Sequence, residues 1–455
     1  MKHKIFYVLF LVCGLALCLF PLLGLTVTGP APAAANEMLA LPPSVRTERG
    51  GFNWNFLSDL SDYFADHFSC RQELITLNAA LEKNLLGESA SEQVVCGSDG
   101  WLYYAETLDD YQGQNRLSDR QIWAAAHTLA LIQESVEGRG AAFLFTVVPN
   151  KNTVYPDHMP ARYLRAFAPG NRERLFDALA QSGVRSLDLT PIFQAEDETL
   201  YLKRDSHWTN LGAALACDAI CSALGRSLPP QYDPSAFTVR RDYAGDLYAM
   251  LYPTGTGKDL QTYPKRAPSF SYADPIRSPE DQRILTRCEG QTGALLMFRD
   301  SFGNSLHSFL AESFGQACFS RAMPYRLTLL SSVEADTVVI ELVERNIPWL
   351  AERAPIFEAP QRELTLPEQT PGCAARVTRR EADGLFVYSG ELDRDPDVDS
   401  PVYLVAGGAV YEASPVGETG RSFTACLPVC ADTVEAVYVK DGSLQRTAAA
   451  VCTES

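Results

Sequence analysis

Two short polar stretches contain residues that could carry out nucleophilic catalysis. The first is RDSHWT, in which Asp205 and His207 are two positions apart. On an extended backbone both side chains would lie on one face. The carboxylate could then accept the proton of one imidazole nitrogen and leave the other nitrogen as a base. Spacing alone leaves a structural alternative open, in which Asp205 caps the following helix and His207 only packs.

The second stretch, MFRDSFGNS, follows an apolar run that predicts a buried strand and precedes a predicted helix. This context places the hydroxyl of Ser301 at the carboxyl edge of a sheet, where the sites of α/β proteins usually lie. Backbone N–H groups at the start of the helix would face an oxyanion there. An N-cap role for Asp300 or Ser301 is the alternative. Taken alone, the turn is a weak signal, because it lacks the flanking glycines of the G-x-S-x-G elbow. The two stretches together are a stronger signal than either one.

The elements that must position these stretches alternate along the chain. Apolar runs predict strands at 142–148, 184–189, 294–298 and 337–342, and amphipathic segments predict helices at 121–137, 172–181, 211–224 and 305–312. This alternation favours an α/β fold with a mostly parallel sheet flanked by helices. Residues 226–290 interrupt the rhythm and predict a long insertion that serves as a lid or a substrate-facing loop.

Both ends of the chain differ from this pattern. Lys2 and Lys4 precede an apolar stretch over 5–27, which has about the 20 residues of a membrane-crossing helix. We therefore predict a single-pass anchor over 1–28 in the cytoplasmic membrane, with everything after the linker 29–50 outside the cytoplasm. A cleaved signal, with small residues at 33–35, is the alternative and also exports the protein. The main domain is predicted over 51–360, and short β-rich runs predict a small all-β domain over 366–455.

Composition excludes some function classes. The chain has 455 residues, and its 39 basic and 56 acidic residues give a formal net charge of −17. Such a surface repels nucleic acid phosphates, so we predict no nucleic-acid partner. The 12 cysteines include no CxxC pair, which gives a zinc or thioredoxin-type site little support. No metal and no organic cofactor is predicted.

RDSHWT resembles the Asp-His-His-Trp motif of the DHHW proteins, which are similar to the alginate O-acetyltransferase accessory proteins of the SGNH esterase/acyltransferase group. The resemblance covers about residues 50–350 and includes GSDGWLYY, VVPNKNTVYP, RDSHWTNLGA, FRDSFGNSL and VVIELVERN, in the family's order. It implies an SGNH-like fold with Ser301 as nucleophile, His207 as base and Asp205 as its orienting carboxylate. The pair precedes the serine, opposite to ordinary SGNH esterases, and a triad tolerates such an order because it is defined by geometry.

The chain departs from the family pattern at two positions. Ser206 replaces the first histidine of the DHHW motif, and Arg299 stands where a GDS-type block has glycine. A wider set of residues is predicted to bind the oxyanion or substrate, with turn-making, a solvated rim and core packing as competing roles: Asn150, Lys151, Trp208, Arg299 and Arg345. His307 is predicted to pack rather than react.

These observations predict an exported serine acyltransferase that O-acetylates a cell-envelope or exported polysaccharide through an acyl-serine. The resemblance also implies a membrane-bound O-acyltransferase as the partner that supplies the acyl group. Two alternatives stay open at this level. The protein could be an O-acetyl esterase, or a carbohydrate-binding or assembly subunit that keeps the fold without the chemistry.

Overall fold

The computed structural model describes residues 2–29, 39–47, 50–417 and 419–454. Half of the predicted linker 29–50 lies outside these ranges, and the small residues at 33–35 lie wholly outside them. A helix, α1, spans Lys2–Thr28. Within the described ranges, however, no helix combines the length and the apolar character that a membrane crossing requires. The single-pass anchor stays a prediction.

The main domain contains two long N-terminal helices followed by alternating strands and helices. Its helices are α2 (Phe56–His67), α3 (Arg71–Leu86), α4 (Leu108–Gln112), α5 (Asp119–Glu137), α6 (Lys151–Val154), α7 (Asn171–Gln181), α8 (Thr190–Gln194), α9 (Asn210–Ala223), α10 (Asp246–Leu251), α11 (Gly303–Ala311), α12 (Leu329–Ser332) and α13 (Pro348–Glu352). Its strands are β1 (Val94–Cys96), β2 (Leu102–Tyr104), β3 (Ala142–Val148), β4 (Ser186–Asp188), β5 (Phe237–Tyr243), β6 (Asp259–Pro264), β7 (Phe270–Tyr272), β8 (Arg283–Cys288), β9 (Ala294–Phe298), β10 (Gln316–Ser320) and β11 (Thr337–Val343).

A seven-stranded sheet in the order β4-β3-β11-β9-β10-β8-β7 forms the centre of this domain. Strands β4, β3, β11, β9 and β10 are parallel, while β8 and β7 join antiparallel at one edge. Strands β9 and β11 are buried along their whole length, as expected for continuous apolar runs covered on both faces. This confirms the predicted α/β class. Two antiparallel pairs lie outside the sheet, the hairpin β1–β2 and the ribbon β5–β6.

A second sheet of nine strands forms the C-terminal β domain. The strands are β12 (Ala375–Ala382), β13 (Leu385–Leu392), β14 (Val402–Ala406), β15 (Ala409–Val416), β16 (Ser422–Leu427), β17 (Thr433–Lys440), β18 (Ser443–Arg446), β19 (Ala450–Val451) and β20 (Thr453–Glu454). It has its own core, with Tyr388, Leu404 and Tyr438 fully buried. Arg120 of α5 joins the two domains, because its Nη1 donates to three backbone carbonyls, those of Asp397, Val398 and Ser400.

Candidate active site

The turn after β9 presents Ser301 at the carboxyl edge of the sheet. Asp300 fixes this turn from within, since its Oδ1 accepts the N–H of Phe302 at 2.8 Å and its Oδ2 accepts the N–H of Val343 at 2.7 Å. The N–H of Asp300 donates to Glu341 on β11 at 3.1 Å. The turn is therefore tied to the neighbouring strand through Asp300, directly before Ser301, which is itself partly exposed.

The loop before α9 carries Asp205 and His207. Thr209 caps α9, because its hydroxyl accepts the N–H of Gly212 at 3.1 Å. Thr209, and not Asp205, therefore caps this helix, which argues against the alternative role for Asp205. Instead, Asp205 Oδ1 accepts from both the backbone N–H and the ring Nδ1 of His207, at 2.9 and 2.8 Å.

The two stretches meet at hydrogen-bonding distance. His207 Nε2 lies 2.8 Å from Ser301 Oγ, although 94 positions separate the residues in the chain. A carboxylate only accepts, so Nδ1 carries the proton that bonds Asp205, and Nε2 is left to accept the serine proton. This is the arrangement of a Ser-His-Asp triad, with the base oriented by a buried carboxylate.

Charge and burial act against each other in this pair. Burial raises the pKa of Asp205, but the charge of His207 and hydrogen bonds from its ring and from two backbone N–H groups outweigh burial and hold the pKa below its usual value. For His207, burial lowers the pKa, and the carboxylate of Asp205 more than compensates, so the pKa is raised. The site therefore favours the imidazolium that forms when the serine proton is taken up.

A second carboxylate, Asp246 at the start of α10, was not identified from the sequence. Its Oδ2 lies 3.6 Å from His207 Nδ1 and accepts the hydroxyl of Ser206. Its own N–H donates to Asp205 Oδ2 at 2.8 Å. Burial, followed by the charge of Asp205, raises the pKa of Asp246. Ser206, the residue that departs from the DHHW motif, therefore links this carboxylate to the base.

Asp205, His207 and Asp246 each present one ligand atom within 4.8 Å of the others, so this cluster has the composition of a metal site. The ring nitrogen nearest the carboxylates is already hydrogen-bonded to Asp205. A metal ion at that nitrogen would displace the proton that orients the base. The hydrogen bonds thus fit a proton relay better than a metal centre.

The relay formed by Ser301, His207 and Asp205 opens onto a cleft of about 1040 Å³. Four phenol rings line it, those of Tyr104, Tyr243, Tyr263 and Tyr272. Arg345 also lies on the wall, with its guanidinium 5.5 Å from the ring of Tyr104. Among the described residues it forms no ion pair with a carboxylate, so its charge faces the cleft.

Trp208, a predicted binding residue, and His307, which was predicted to pack, both lie on the wall but serve the core. Trp208 is only 1 % exposed, and its indole N–H donates to Ser305 Oγ at 2.7 Å. His307 is neutral, because burial lowers its pKa to about 4. Its Nδ1 donates to the carbonyl of Asn304 at 2.7 Å, as expected for a packing residue. A stacking role for Trp208 does not fit this burial.

Asn150 and Lys151 lie away from the cleft. The amide of Asn150 donates to Asp110 at 3.1 Å and its oxygen accepts from the N–H of Arg345, so both ends are occupied. Lys151 is buried, and its ammonium donates to three backbone carbonyls, those of Leu102, Lys203 and Asp205, at 2.7–2.9 Å. Neither placement fits the predicted contact with oxyanion or substrate. Lys151 instead fixes the backbone that carries Asp205.

Arg299 also points away from the cleft. Its Nη2 donates to the carbonyls of Pro279 and Asp281 at 2.6 and 3.2 Å, which ties the segment before β8 to the nucleophile turn. Its Nη1 donates to Asn304 Oδ1 at 2.6 Å. These bonds do not fit the predicted direct contact between Arg299 and substrate. Asn304 does line the cleft, and the sequence analysis did not identify it.

Comparison with known proteins bears on this domain. Residues 94–315 match the family described as the SGNH hydrolase-like domain of the acetyltransferase AlgX. The resemblance predicted from the motifs is thereby confirmed. The AlgX-type region includes β1 to α11 and all three relay residues.

The individual relatives are distant in sequence. The chain is 27 % identical over 218 residues to a probable alginate O-acetylase AlgJ of Pseudomonas syringae, which covers 46 % of this chain and 54 % of that protein. The chain spans about half the length of the curated relatives it matches. Two solved structures are similar over 56 % of the chain, and the match covers 91 % of the first and 92 % of the second. They are a DHHW family protein from Eubacterium siraeum (17 % identity, TM-score 0.41) and the O-acetyltransferase domain of Pseudomonas putida AlgJ (22 %, 0.37).

Proposed function

We propose that this protein is a serine acyltransferase that acetylates hydroxyl groups of a polysaccharide. The observation that carries the proposal is the relay from Ser301 Oγ through His207 to Asp205, open to a large cleft. The similarity to an acetyltransferase-type SGNH domain supports acetyl as the group transferred.

The first half-reaction forms an acyl-enzyme. Ser301 Oγ gives its proton to His207 Nε2 and bonds to the acyl carbonyl carbon, whose oxygen becomes an oxyanion. When the tetrahedral intermediate collapses, the bond to the donor's leaving oxygen breaks, and that oxygen takes the proton from His207. The acetyl group is then an ester of Ser301.

The second half-reaction repeats these steps with an acceptor. A sugar hydroxyl loses its proton to His207 Nε2, its oxygen attacks the acetyl carbonyl, and Ser301 regains a proton as it leaves. Tyrosine rings suit a sugar acceptor, because they offer flat apolar faces together with hydroxyl groups. Water in place of the sugar gives hydrolysis, which is the esterase alternative. A membrane-bound O-acyltransferase as the supplier of acetyl remains part of the proposal.

The decisive experiment compares three full-length proteins. Wild type, Ser301→Ala and Ser308→Ala are incubated with a chromogenic acetyl ester, and intact mass spectrometry measures acetyl on the protein. Ser308 is the matched control, since it lines the same cleft and its hydroxyl donates to the carbonyl of Ser305. We expect turnover and one bound acetyl in wild type and Ser308→Ala, and neither in Ser301→Ala. Equal turnover in Ser301→Ala would show that the nucleophile is wrong.

A sugar acceptor then separates the enzyme classes. Transfer predicts acetyl gained by an added oligosaccharide, and an esterase predicts acetyl lost from an acetylated one. Glycan binding without any acyl-enzyme in the wild type would favour the binding or assembly subunit.

We further propose that the domain works outside the cytoplasm. Lys2 and Lys4 lie at the start of α1, and the side chains from Ile5 to Ala16 are all exposed in the described structure. Alkaline phosphatase fused after residue 46 tests this, because the reporter is active only after export. An inactive fusion of normal abundance would refute export, and washing the membranes would show whether the chain stays bound to them.

A further inference from the structure

The hydroxyl proton of Tyr272 is engaged inside the protein. His307 Nδ1 lies 2.7 Å from the carbonyl oxygen of Asn304, and a carbonyl only accepts, so Nδ1 carries the ring proton. Because burial lowers the pKa of His307 to about 4, the ring is neutral and Nε2 is left without a proton. The hydroxyl of Tyr272 lies 3.2 Å from this Nε2. The phenol therefore donates the hydrogen bond, since the nitrogen offers only a lone pair.

Two other phenols in the cleft follow the same rule. The hydroxyl of Tyr104 lies 2.6 Å from Glu106 Oε1, and that of Tyr263 lies 2.8 Å from Asp242 Oδ1. Carboxylates only accept, so both phenols donate. Three of the four phenols that line the cleft thus give their protons to protein groups, and their oxygens keep lone pairs that can accept.

Tyr272 is held in place on β7 and is open to the cleft. Its side chain is 40 % exposed, and its ring packs edge-on against that of Phe270, with 5.2 Å between the ring centroids. Its partner His307 belongs to α11, the helix that begins just after Ser301, and all three of Tyr272, His307 and Ser301 line the cleft. A fixed phenol oxygen is therefore part of the wall that faces a sugar acceptor.

We propose that the phenol oxygen of Tyr272 accepts a hydrogen bond from a hydroxyl group of the sugar acceptor, and that His307 is the positioning residue that fixes it in this role. The proposal rests on the proposed acyl transfer and adds a chemical requirement for its acceptor. At this position the acceptor carries a free hydroxyl, since a carboxylate has no proton to donate and an acylated or methylated oxygen has lost its own.

The test measures how the acetyl group is shared between water and an added sugar. Full-length wild type, Tyr272→Phe and Tyr232→Phe are incubated with a chromogenic acetyl ester and methyl β-glucopyranoside, and the ratio of acetylated sugar to acetate is recorded. Tyr232→Phe is the matched control, because its hydroxyl donates to Glu196 at 2.6 Å and neither residue lines the cleft. We expect the ratio to fall roughly tenfold in Tyr272→Phe, as for one lost hydrogen bond, with total ester turnover within about threefold of wild type. The control should keep both.

Analogues of the sugar that are changed at one ring position test the direction of the hydrogen bond. Fluorine in place of a hydroxyl can accept but cannot donate, and a deoxy position can do neither. At one position, the fluoro and deoxy sugars should both lower the ratio roughly tenfold with wild type and change it little with Tyr272→Phe. His307→Phe frees the phenol proton, so with this variant the fluoro sugar should regain part of the loss and the deoxy sugar should not.

A ratio within about twofold of wild type in Tyr272→Phe would overturn the proposal. So would a wild type that transfers no acetyl to the sugar, or one that uses the fluoro sugar as well as the parent sugar at each position where the deoxy sugar fails. If Ser301→Ala is as active as wild type, the proposed function fails instead, and the two failures are distinct.

Discussion

Replacement of Asp246 by asparagine should move the pH dependence of the reaction without removing activity. The charged groups that face His207 are Asp205 and Asp246, which raise its pKa, and Arg345, which lowers it. The base works only when neutral, so activity rises as the pH passes upward through the raised pKa of His207. Removing one of the two negative charges lowers this pKa, and the acid limb should shift to lower pH.

The size of the shift follows from the separation of 3.6 Å between His207 Nδ1 and Asp246 Oδ2. Coulomb's law gives about 1 kcal/mol at this distance in water and about 5 kcal/mol at an effective dielectric constant of 20. Both side chains are open to cleft water, 22 % and 23 % exposed, so we use the lower limit. About 1 kcal/mol corresponds to somewhat less than one pKa unit.

The assay is kcat/KM for an acetyl ester between about pH 5 and 9, because its acid limb reports the base of the free enzyme. We expect the midpoint to fall by about 0.5–1 unit in Asp246→Asn, with a plateau within about threefold of wild type. Asp205→Asn should lower the plateau by about 10⁴-fold, as for other triad carboxylates. Glu280→Gln is the matched control, since it removes a carboxylate from the same cleft. An unmoved midpoint, or a plateau as low as that of Asp205→Asn, would refute this reasoning.

Three further predictions concern the base and two buried cations. His207→Ala should lower esterase turnover by about 10³-fold or more, and a loss below tenfold would contradict the relay. Burial lowers the pKa of Lys151 from 10.5 to about 7, so the folded protein gains stability as the pH rises between these values. Relative to Lys151→Met, the free energy of unfolding should therefore rise by up to about 5 kcal/mol from pH 7 to 10.5, measured by urea titration. A pH-independent difference would show that the lysine does not change charge there. Arg120→Met should lower the free energy of unfolding by about 2–4 kcal/mol, because three carbonyls of the β domain lose their charged donor, and turnover should be unchanged. A loss below about 1 kcal/mol would contradict this prediction.

The sequence predicted the elements whose signals are local. The runs that became β3, β9 and β11 are continuously apolar, and burial on both faces of a parallel sheet requires that. The order of strands in the sheet and the pairing of the relay residues depend on contacts between distant parts of the chain. The site itself was indicated by the spacing of Asp205 and His207, by the polar turn that carries Ser301 after an apolar run, and by the resemblance to a known family.

The missed residues had no local signal. Asp246 lies in the segment 226–290, and folding brings it to within 3.6 Å of His207 from 39 positions away in the sequence. Asn304 resembles any polar residue in the first turn of a helix until Arg299 fixes its amide. Lys151 looked like a surface cation, because no sequence pattern reveals that three backbone carbonyls converge on its ammonium.

The nucleophile turn is held by a residue that comes much later in the chain. Asp300 depends on the N–H of Val343 at the end of β11, and β11 pairs with β3 and β9. A chain still being synthesised or transported therefore cannot assemble the site until β11 has arrived, even though all three relay residues are already present. Under the proposed function, the chain would therefore gain the capacity to cleave esters only after β11 has been synthesised and paired.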